Sequence, residues 1–247
     1  MENETGVIDW AIAGQRIIES QDPCMYMYIG YDYSDTDIQS GKCETHSNLR
    51  AVRVSFSHEL DSHDAFESVD CGTFVSLPNG DDLETGVMPR SDLPGAPECE
   101  YEEVWRELPF RKGPEGDYGG ISWVLESDNG DISGSDREGE VQVVKTFLGR
   151  IWGTYLALRQ TQTHVRMRDP SGALVVKKSG AGVSARREEW ESWWKEKYVV
   201  GEVAGALPSM VDGFAGEGRW KVGDKVDVNG ERYIVRAFEN LGLSMKL

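Results

Sequence analysis

One stretch, residues 141–160, constrains the fold of this chain more than any other. It reads VQVVKTFLGRIWGTYLALRQ, which is too apolar for a surface loop, and it contains Gly149 and Gly153. A helix here would be interrupted twice by glycine, at a cost of about 1 kcal/mol each relative to alanine. Side chains alternate instead between two faces on either side of the glycines, which is typical of strands, and a glycine within a strand marks a bend or a close backbone approach. The stretch therefore predicts two strands, or one bent strand, at the centre of a β-barrel.

The remaining sequence extends this pattern. Short alternating runs are separated by turn signals, among them Asp169-Pro170-Ser171-Gly172 and the favoured hairpin dipeptide Asn229-Gly230. One segment departs from it: near residues 185–198, tryptophan and tyrosine recur at helical spacing. We predict an all-β fold with one amphipathic helix in the C-terminal half, where it plugs one end of a barrel.

A Gly- and Pro-rich segment at residues 83–97 divides the chain. We expect an N-terminal β-barrel half at residues 1–97 and a C-terminal β-barrel half at residues 98–247. The length of 247 residues suits two domains of ordinary size or one large all-β domain.

The charge of the chain bears on its partners. Lys and Arg total 26 against 43 Asp and Glu, a formal net charge of −17. Such a field repels phosphate backbones and anionic membrane surfaces, so we expect no nucleic-acid partner. The sequence shows neither a signal-peptide pattern nor a run of the ~20 apolar residues that a membrane helix needs, so we expect a cytoplasmic protein without membrane insertion. The cysteines lack a Cys-x-x-Cys spacing, and free thiols are expected at Cys24, Cys43, Cys71 and Cys99.

Four segments are specific when taken together and in order. They are DWAIAG at 9–14, LPNGDDLETG at 77–86, YEEVWRELP at 101–109 and VGDKVDVNGERYIVRAFE at 222–239. Over nearly the whole chain they resemble the fungal HRI1 family. The resemblance implies two lipocalin-like antiparallel β-barrels in a fungal intracellular protein. It carries no catalytic signature, so no residue takes a role from it.

The resemblance also implies strands ahead of the first of these segments, whereas this sequence starts just before it. The first barrel is therefore expected to be short of strands, which leaves an opening or unpaired edges. The opening would be the mouth of a pocket, or a second copy would fill it in a homodimer.

Candidate site residues follow from the barrel prediction. The sequence contains no nucleophile elbow, phosphate loop, dinucleotide fingerprint or zinc spacing, and no cofactor is expected. A small barrel encloses either side chains or one small ligand, and an apolar ligand requires aromatic walls with a few polar groups. The aromatic lining that we predict is Trp10, Tyr26, Tyr28, Trp105, Trp123, Trp152 and Tyr155. The catalytic candidates are Arg150, His164 and Glu103. The alternative is that the aromatic residues simply fill the core.

Two charged groups have competing interpretations. The densest set of metal-ligand residue types is His58, Glu59, Asp61, His63 and Asp64, but its spacing suits neither a helix face nor a strand face, so a solvated acidic loop without metal is expected. In YEEVWREL, Arg106 and a neighbouring glutamate form either an ion pair that bridges the two barrels or an acid/base pair.

Two functional hypotheses remain. The first is a cofactor-independent cyclase or isomerase that holds an apolar, polycyclic, polyketide-like or terpenoid-like molecule, in fungal secondary metabolism. The second is a non-catalytic protein that binds a metabolite or a protein partner. The first requires a pocket with an inward Arg, His or Tyr. The second requires either a pocket without such a group or barrels filled by aromatic side chains.

Overall fold

The computed structural model of the chain describes residues 10–18, 24–30, 52–66, 70–89, 94–95, 97–116, 120–129 and 138–244. Its strands form two sheets of seven antiparallel strands each. The first sheet contains β1 (Trp10–Ile18), β2 (Cys24–Gly30), β3 (Val52–Phe56), β4 (Leu60–Asp61), β5 (Asp70–Ser76), β6 (Asp82–Pro89) and β7 (Glu98–Trp105). The second contains β8 (Ile121–Ser127), β9 (Gly139–Ile151), β10 (Thr154–Arg168), β11 (Leu174–Trp190), β12 (Trp194–Val200), β13 (Lys225–Val228) and β14 (Glu231–Asn240). The helical segments are short: 3₁₀ turns at Ala204–Ala206 and Glu217–Arg219, and an α-helical turn at Leu241–Ser244.

The first sheet has the strand order β2-β1-β3-β5-β6-β7. Strand β1 pairs along one side with β2, and along the other side with both β3 and β4. The connection between β3 and β4 follows β1, because the amides of Ser57 and Glu59 donate to the carbonyls of Gln15 and Ala13, each over 2.9 Å. This connection brings an acidic segment to one end of the sheet.

The second sheet has the order β12-β11-β10-β9-β8-β14-β13. At its centre, β9 and β10 form the long hairpin that the sequence predicts at residues 141–160, with Trp152 at φ 51° in the turn. A Cβ added to Gly153 would lie 2.1 Å from the carbonyl oxygen of Lys112. The close backbone approach predicted from this glycine is therefore confirmed.

The predicted barrels do not close. No ladder joins the two outer strands of either sheet within the described residues. The all-β prediction is confirmed, because alternation along a strand specifies which face is buried. Alternation does not specify whether the edges of a sheet meet, since closure depends on strand tilt and stagger.

The predicted helix at residues 185–198 is wrong. The segment forms the end of β11, a turn, and the start of β12, with Trp190 opposite Trp194. Ion pairs join Arg186 to Glu188 and Arg187 to Glu189, two residues apart, as the same face of a strand allows. The helical spacing of the aromatic residues arises because the strand reverses between Trp190 and Trp194, whose rings pack edge to face at 5.8 Å.

The second sheet is covered on both faces. One face packs under residues 201–224 in a cluster whose members include Trp123, Tyr155, Phe214 and Trp220. The other face packs against the first sheet in a smaller cluster, which joins Ala11, Ala13 and Leu60 to Phe147, Leu158, Val183 and Ala185.

Three further predictions bear on the chain as a whole. Strand β7 pairs with β6 in the first sheet although residues 98–105 fall in the predicted second half, and the division into two domains stays a prediction. Of the cysteines, Cys71 and Cys99 are free, whereas the side chain of Cys24 and all of Cys43 lie outside the described residues. No helix in the described part of the chain is both long and apolar enough to span a bilayer.

Candidate functional site

The predicted catalytic Arg150 is fully buried and fully engaged. Its guanidinium donates to Glu115 and Glu217, both over 2.7 Å, and to the carbonyl oxygen of Trp152 over 2.8 Å. It also lies 5.4 Å from the centre of the Trp194 ring. A buried arginine is stabilised when its donors meet carboxylates in this way. Arg150 therefore ties the surface segments at Glu115 and Glu217 to the sheet.

Two of the predicted lining aromatics, Trp123 and Tyr155, belong to the hydrophobic core of the second sheet. Trp123 contacts the rings of Tyr155, Phe214 and Trp220 at centroid distances of 4.9–6.1 Å, and it is 1% exposed. Tyr155 is completely buried, and its hydroxyl donates to the carbonyl of Pro208 over 2.8 Å. Burial raises the pKa of Tyr155 well above its usual value. Here the core-filling alternative applies.

Trp152 lies apart from this cluster. Its ring packs on Phe110 with the centroids 5.1 Å apart. It also covers Gly120, where an added Cβ would approach the indole to 2.2 Å. Trp152 therefore closes the end of the central hairpin.

Trp105 and Glu103 belong to the first sheet. The indole of Trp105 donates to the buried carboxylate of Glu84 over 2.7 Å, and Tyr101 donates to the same carboxylate over 3.0 Å. Partial desolvation, with Glu84 and Asp70 nearby, raises the pKa of Glu103. Neither residue meets Arg150 or His164. The acid/base role of Glu103 stays a prediction.

Three predicted lining residues belong to the first two strands of the first sheet. Trp10 belongs to β1, and Tyr26 and Tyr28 belong to β2 opposite Gly14 and Ile12. Their side chains lie outside the described residues. Arg106 was predicted to form an ion pair with a neighbouring glutamate that bridges the two barrels. In the structure it pairs instead with Asp81, over 2.7 Å, at the edge of the first sheet.

The acidic segment at residues 57–64 lies along β1 of the first sheet and contacts the second sheet. We call it the docking loop. The side chain of Gln160 on β10 donates to the carbonyl of Asp61 over 2.6 Å and accepts from its amide over 3.2 Å. Gln162 donates to the carbonyl of Glu59 over 2.9 Å, and Asp64 accepts from the amide of Gly180 over 2.7 Å. The expected solvated loop is therefore a docked one, while no group of three metal-ligand side chains is found in the described residues.

His58 fixes the shape of the docking loop from within. Its Nδ1 lies 2.6 Å from an oxygen of Asp61, and its Nε2 lies 3.4 Å from Asp70 on β5. Burial alone would lower the pKa of His58, but the carboxylates of Asp61 and Asp70 outweigh it and raise the pKa to about 9. His58 is therefore a cation at neutral pH, held between two carboxylates.

A cleft of about 350 Å³ opens beside the docking loop, on the same face of the second sheet. Its walls come from the end of β8 and from β9, β10, β11 and β14, and Glu59 of the docking loop forms its rim. Four of its side chains are cationic, namely Lys145, Arg166, Lys178 and Arg236. We call this the cationic cleft. His164 is the only predicted catalytic residue that lines either of the cavities described here.

Charges alternate across the cationic cleft. Glu126 joins Arg236, over 2.6 Å, to Lys145, which contacts it directly. Glu59 joins Lys178, over 3.0 Å, to the same Lys145, over 4.0 Å. Arg166 is a fourth cation in the same wall, and Asp128 is a third carboxylate, which pairs over 2.9 Å with Lys225 outside the lining. The lining therefore carries four cations against three carboxylates. The cleft is thus locally positive although the protein as a whole is strongly negative.

The pKa values of His164 and Glu59 are shifted by burial and by the lysines of the cationic cleft. Its Nε2 lies 3.0 Å from the side-chain oxygen of Gln162. Burial lowers the pKa of His164, and Lys178 and Lys145 lower it further. The same lysines outweigh the effect of burial on Glu59 and lower the pKa of that carboxyl. Burial is the largest cause of the shift of His164, whereas the shift of Glu59 opposes the effect of burial and so indicates an environment that favours negative charge.

A second, larger cavity of about 720 Å³ lies where β10 and β11 pair irregularly. Hydroxyl and amide side chains such as Thr161, Thr163, Ser184 and Gln142 line it, together with glycines. Its charged groups are Asp64, Arg159 and Glu202, which give no excess of positive charge. It therefore lacks the electrostatic character of the cationic cleft.

Comparison with known proteins identifies the family of this chain. A model of the family described as Protein HRI1 matches residues 1–236. The chain belongs to the HRI1 family. No curated protein and no solved structure gives a significant match to it. The HRI1 assignment made from the four sequence segments is therefore confirmed, whereas the cleft itself has to be interpreted from its own geometry.

Sequence reasoning missed most of the cationic cleft in this HRI1-family chain. Lys145, Lys178 and Arg236 come from three strands that are far apart in sequence, and only sheet pairing brings them together. One signal was available: in β10, the sequence Gln-Thr-Gln-Thr-His-Val-Arg places Gln160, Gln162, His164 and Arg166 on one face. A strand face that is polar over four successive positions indicates a partner other than an apolar core.

Proposed function

We propose that this HRI1-family protein binds a small anionic molecule in the cationic cleft and serves as its carrier or sensor. The proposal keeps the non-catalytic role of the second functional hypothesis, although the cleft contains the Arg and His side chains that the first hypothesis requires. The observation that carries it is that four cationic side chains line one cleft, against three carboxylates, in a chain of net charge −17. Cationic side chains that converge in a cleft are a common arrangement for binding anions.

The size of the ligand follows from the distances over which two electrostatic fields act: that of the acidic protein surface and that of the cationic cleft. The net negative charge acts on the outside of the protein, where it is screened over about 8–10 Å at physiological salt. A small anion inside the cleft contacts Lys145 and Lys178 directly and is little affected by that field. A nucleic acid would extend beyond the cleft and meet the acidic surface. The proposed ligand is therefore small, in keeping with the prediction of no nucleic-acid partner.

The cyclase or isomerase hypothesis has less support. It depends on aromatic walls around an apolar pocket, whereas Trp123 and Tyr155 pack into the core and Arg150 is held by two carboxylates. The two cavities described above are lined largely by polar and charged side chains. A cytoplasmic location, a fungal origin and a homodimer stay predictions.

Calorimetric titration of the protein with small anions, among them inorganic phosphate, acetate and citrate, tests the proposal. We expect saturable one-to-one binding of at least one anion, with a rise in the pKa of His164 measured by NMR, because an added anion favours the imidazolium. Lys178→Gln should weaken this binding about tenfold, which corresponds to about 1.4 kcal/mol.

Lys177→Gln is the matched control, because Lys177 is exposed and is the neighbour of Lys178 on β11, so that alternation directs it to the other face. It should leave the affinity unchanged. Binding that is equally weakened by both substitutions would indicate non-specific attraction and contradict the proposal. So would the absence of saturable binding by every anion tested.

A further inference from the structure

We propose that the anionic group recognised in the cationic cleft is a dianion of the phosphate-monoester type, and that it displaces the carboxylate of Glu59 from Lys145 and Lys178. This inference rests on the proposed function and specifies its ligand chemistry. It also gives Glu59 a role, as a competitor for the site within the chain itself.

The position of Glu59 marks where the ligand's charge would lie. One oxygen of its carboxylate is 3.0 Å from the Nζ of Lys178 and 4.0 Å from the Nζ of Lys145. An anion at this point meets both ammonium groups. Arg166 lies in the same cleft wall and extends the positive surface beyond this point.

The side chain of Glu59 can leave without disturbing the docking loop. Its backbone is held separately, since its amide donates to Ala13 over 2.9 Å and its carbonyl accepts from Gln162 over 2.9 Å. The side chain itself is 36% exposed at the rim of the cleft. Rotation of the carboxylate towards water therefore breaks only its contacts with the two lysines.

The charge of the ligand follows from this competition. A tethered group such as Glu59 acts at an effective concentration of roughly millimolar or above. A second monoanion would gain no electrostatic advantage over the carboxylate that it replaces. A phosphate monoester carries about −1.5 to −2 charges at pH 7 and offers three acceptor oxygens, so it can meet Lys145 and Lys178 together. The doubly charged group is the one that overcomes the tethered carboxylate.

Methyl phosphate and methyl sulfate provide a matched pair of probes, because both are tetrahedral esters but only the first is a dianion at pH 8. We expect calorimetry to give at least a tenfold lower Kd for methyl phosphate than for methyl sulfate with the wild-type protein. Inorganic phosphate distinguishes the source of the group. A Kd equal to that of methyl phosphate indicates free phosphate, and a higher Kd indicates an esterified ligand.

Glu59→Gln should lower the Kd for methyl phosphate about fivefold, since it removes a partly exposed ion pair that competes with the ligand. Glu59→Asp should act in the same direction, because its shorter side chain does not reach Lys178. Glu98→Gln is the control for net charge, being an exposed carboxylate on β7, and should leave the Kd unchanged. Thermal unfolding of each variant checks that the fold is retained.

The outcomes separate this inference from the proposed function. Weaker binding of methyl phosphate by both Glu59 variants, or equal affinity of the wild type for methyl sulfate, would overturn the inference and leave an anion-binding cleft. Failure of every anion to bind both the wild type and Glu59→Gln would overturn the proposed function itself. Tighter binding by Glu59→Gln and Glu59→Asp, but not by Glu98→Gln, would support both.

Discussion

The two faces of the second sheet use the same strands for opposite purposes. Along β10, Tyr155 and Ala157 belong to the aromatic cluster under residues 201–224, whereas Gln160 and Gln162 contact the docking loop. The aromatic face is filled by rings, and the fully buried guanidinium of Arg150 is held there by two carboxylates. The other face carries charged side chains that are partly exposed and share their partners.

The two faces differ in how easily their charged side chains can exchange a protein partner for a ligand. Groups in a filled core cannot exchange partners without leaving a cavity or an unsatisfied charge. Groups such as Lys178 and Glu59, each about one-third exposed, can exchange a protein partner for a ligand at small cost. We therefore expect substitutions on the aromatic face to change stability, and those in the cationic cleft to change binding.

The largest effect is expected for Trp123→Ala on the aromatic face. Trp123 is 1% exposed and contacts three aromatic rings, so its removal should lower the free energy of unfolding by about 3–5 kcal/mol. Urea unfolding measures this change. Trp193→Ala, at a tryptophan that is 59% exposed, should cost less than about 1 kcal/mol. Equal losses at the two positions would mean that the aromatic face is not the stable core.

An intermediate effect is expected from His58, which lies where the first sheet meets the other face. Its pKa in the folded protein, about 9, exceeds the usual value of 6.5. Its contribution to stability is therefore fully present below pH 6.5 and is lost as the pH rises through 9. We expect the free energy of unfolding to fall by about 3 kcal/mol over this range, relative to His58→Gln.

Urea unfolding at several pH values measures this difference. His63→Gln is the control, because His63 is an exposed residue of the same docking loop. The variant should keep the pH dependence of the wild type. A wild-type profile parallel to that of His58→Gln would show that the ion pairs of His58 with Asp61 and Asp70 do not stabilise the docking loop.

The smallest effect on stability is expected for Lys178→Gln in the cationic cleft. Lys178 is 31% exposed and its partner Glu59 is 36% exposed, so their ion pair should contribute less than about 1 kcal/mol. Thermal unfolding measures this loss in the variant whose anion affinity falls tenfold. A larger loss of stability, comparable to that of Trp123→Ala, would make the cleft a structural element and remove the contrast between the two faces.

The sequence predicted local structure where side-chain alternation and turn residues agree. The central hairpin, the Asn229-Gly230 turn and the all-β class are confirmed for this reason. The helix at residues 185–198 failed because a strand reversal reproduces helical spacing over one turn. Of the predicted site residues, His164 lies in a cavity, while Trp123 and Tyr155 occupy the core. Residue type alone does not distinguish an aromatic wall from an aromatic core, because both require burial.

The sequence by itself determined the family, the strand-rich composition of the fold and the alternation that gives each strand two different faces. Only the tertiary structure decided which face would pack into an aromatic core and which would carry the cationic cleft. Lys145, Lys178 and Arg236 are separated by tens of residues, and the docking loop that supplies Glu59 comes from the other sheet. Their proximity depends on strand order and on the packing of one sheet against the other. Those arrangements are set by contacts between distant segments, which no local pattern records.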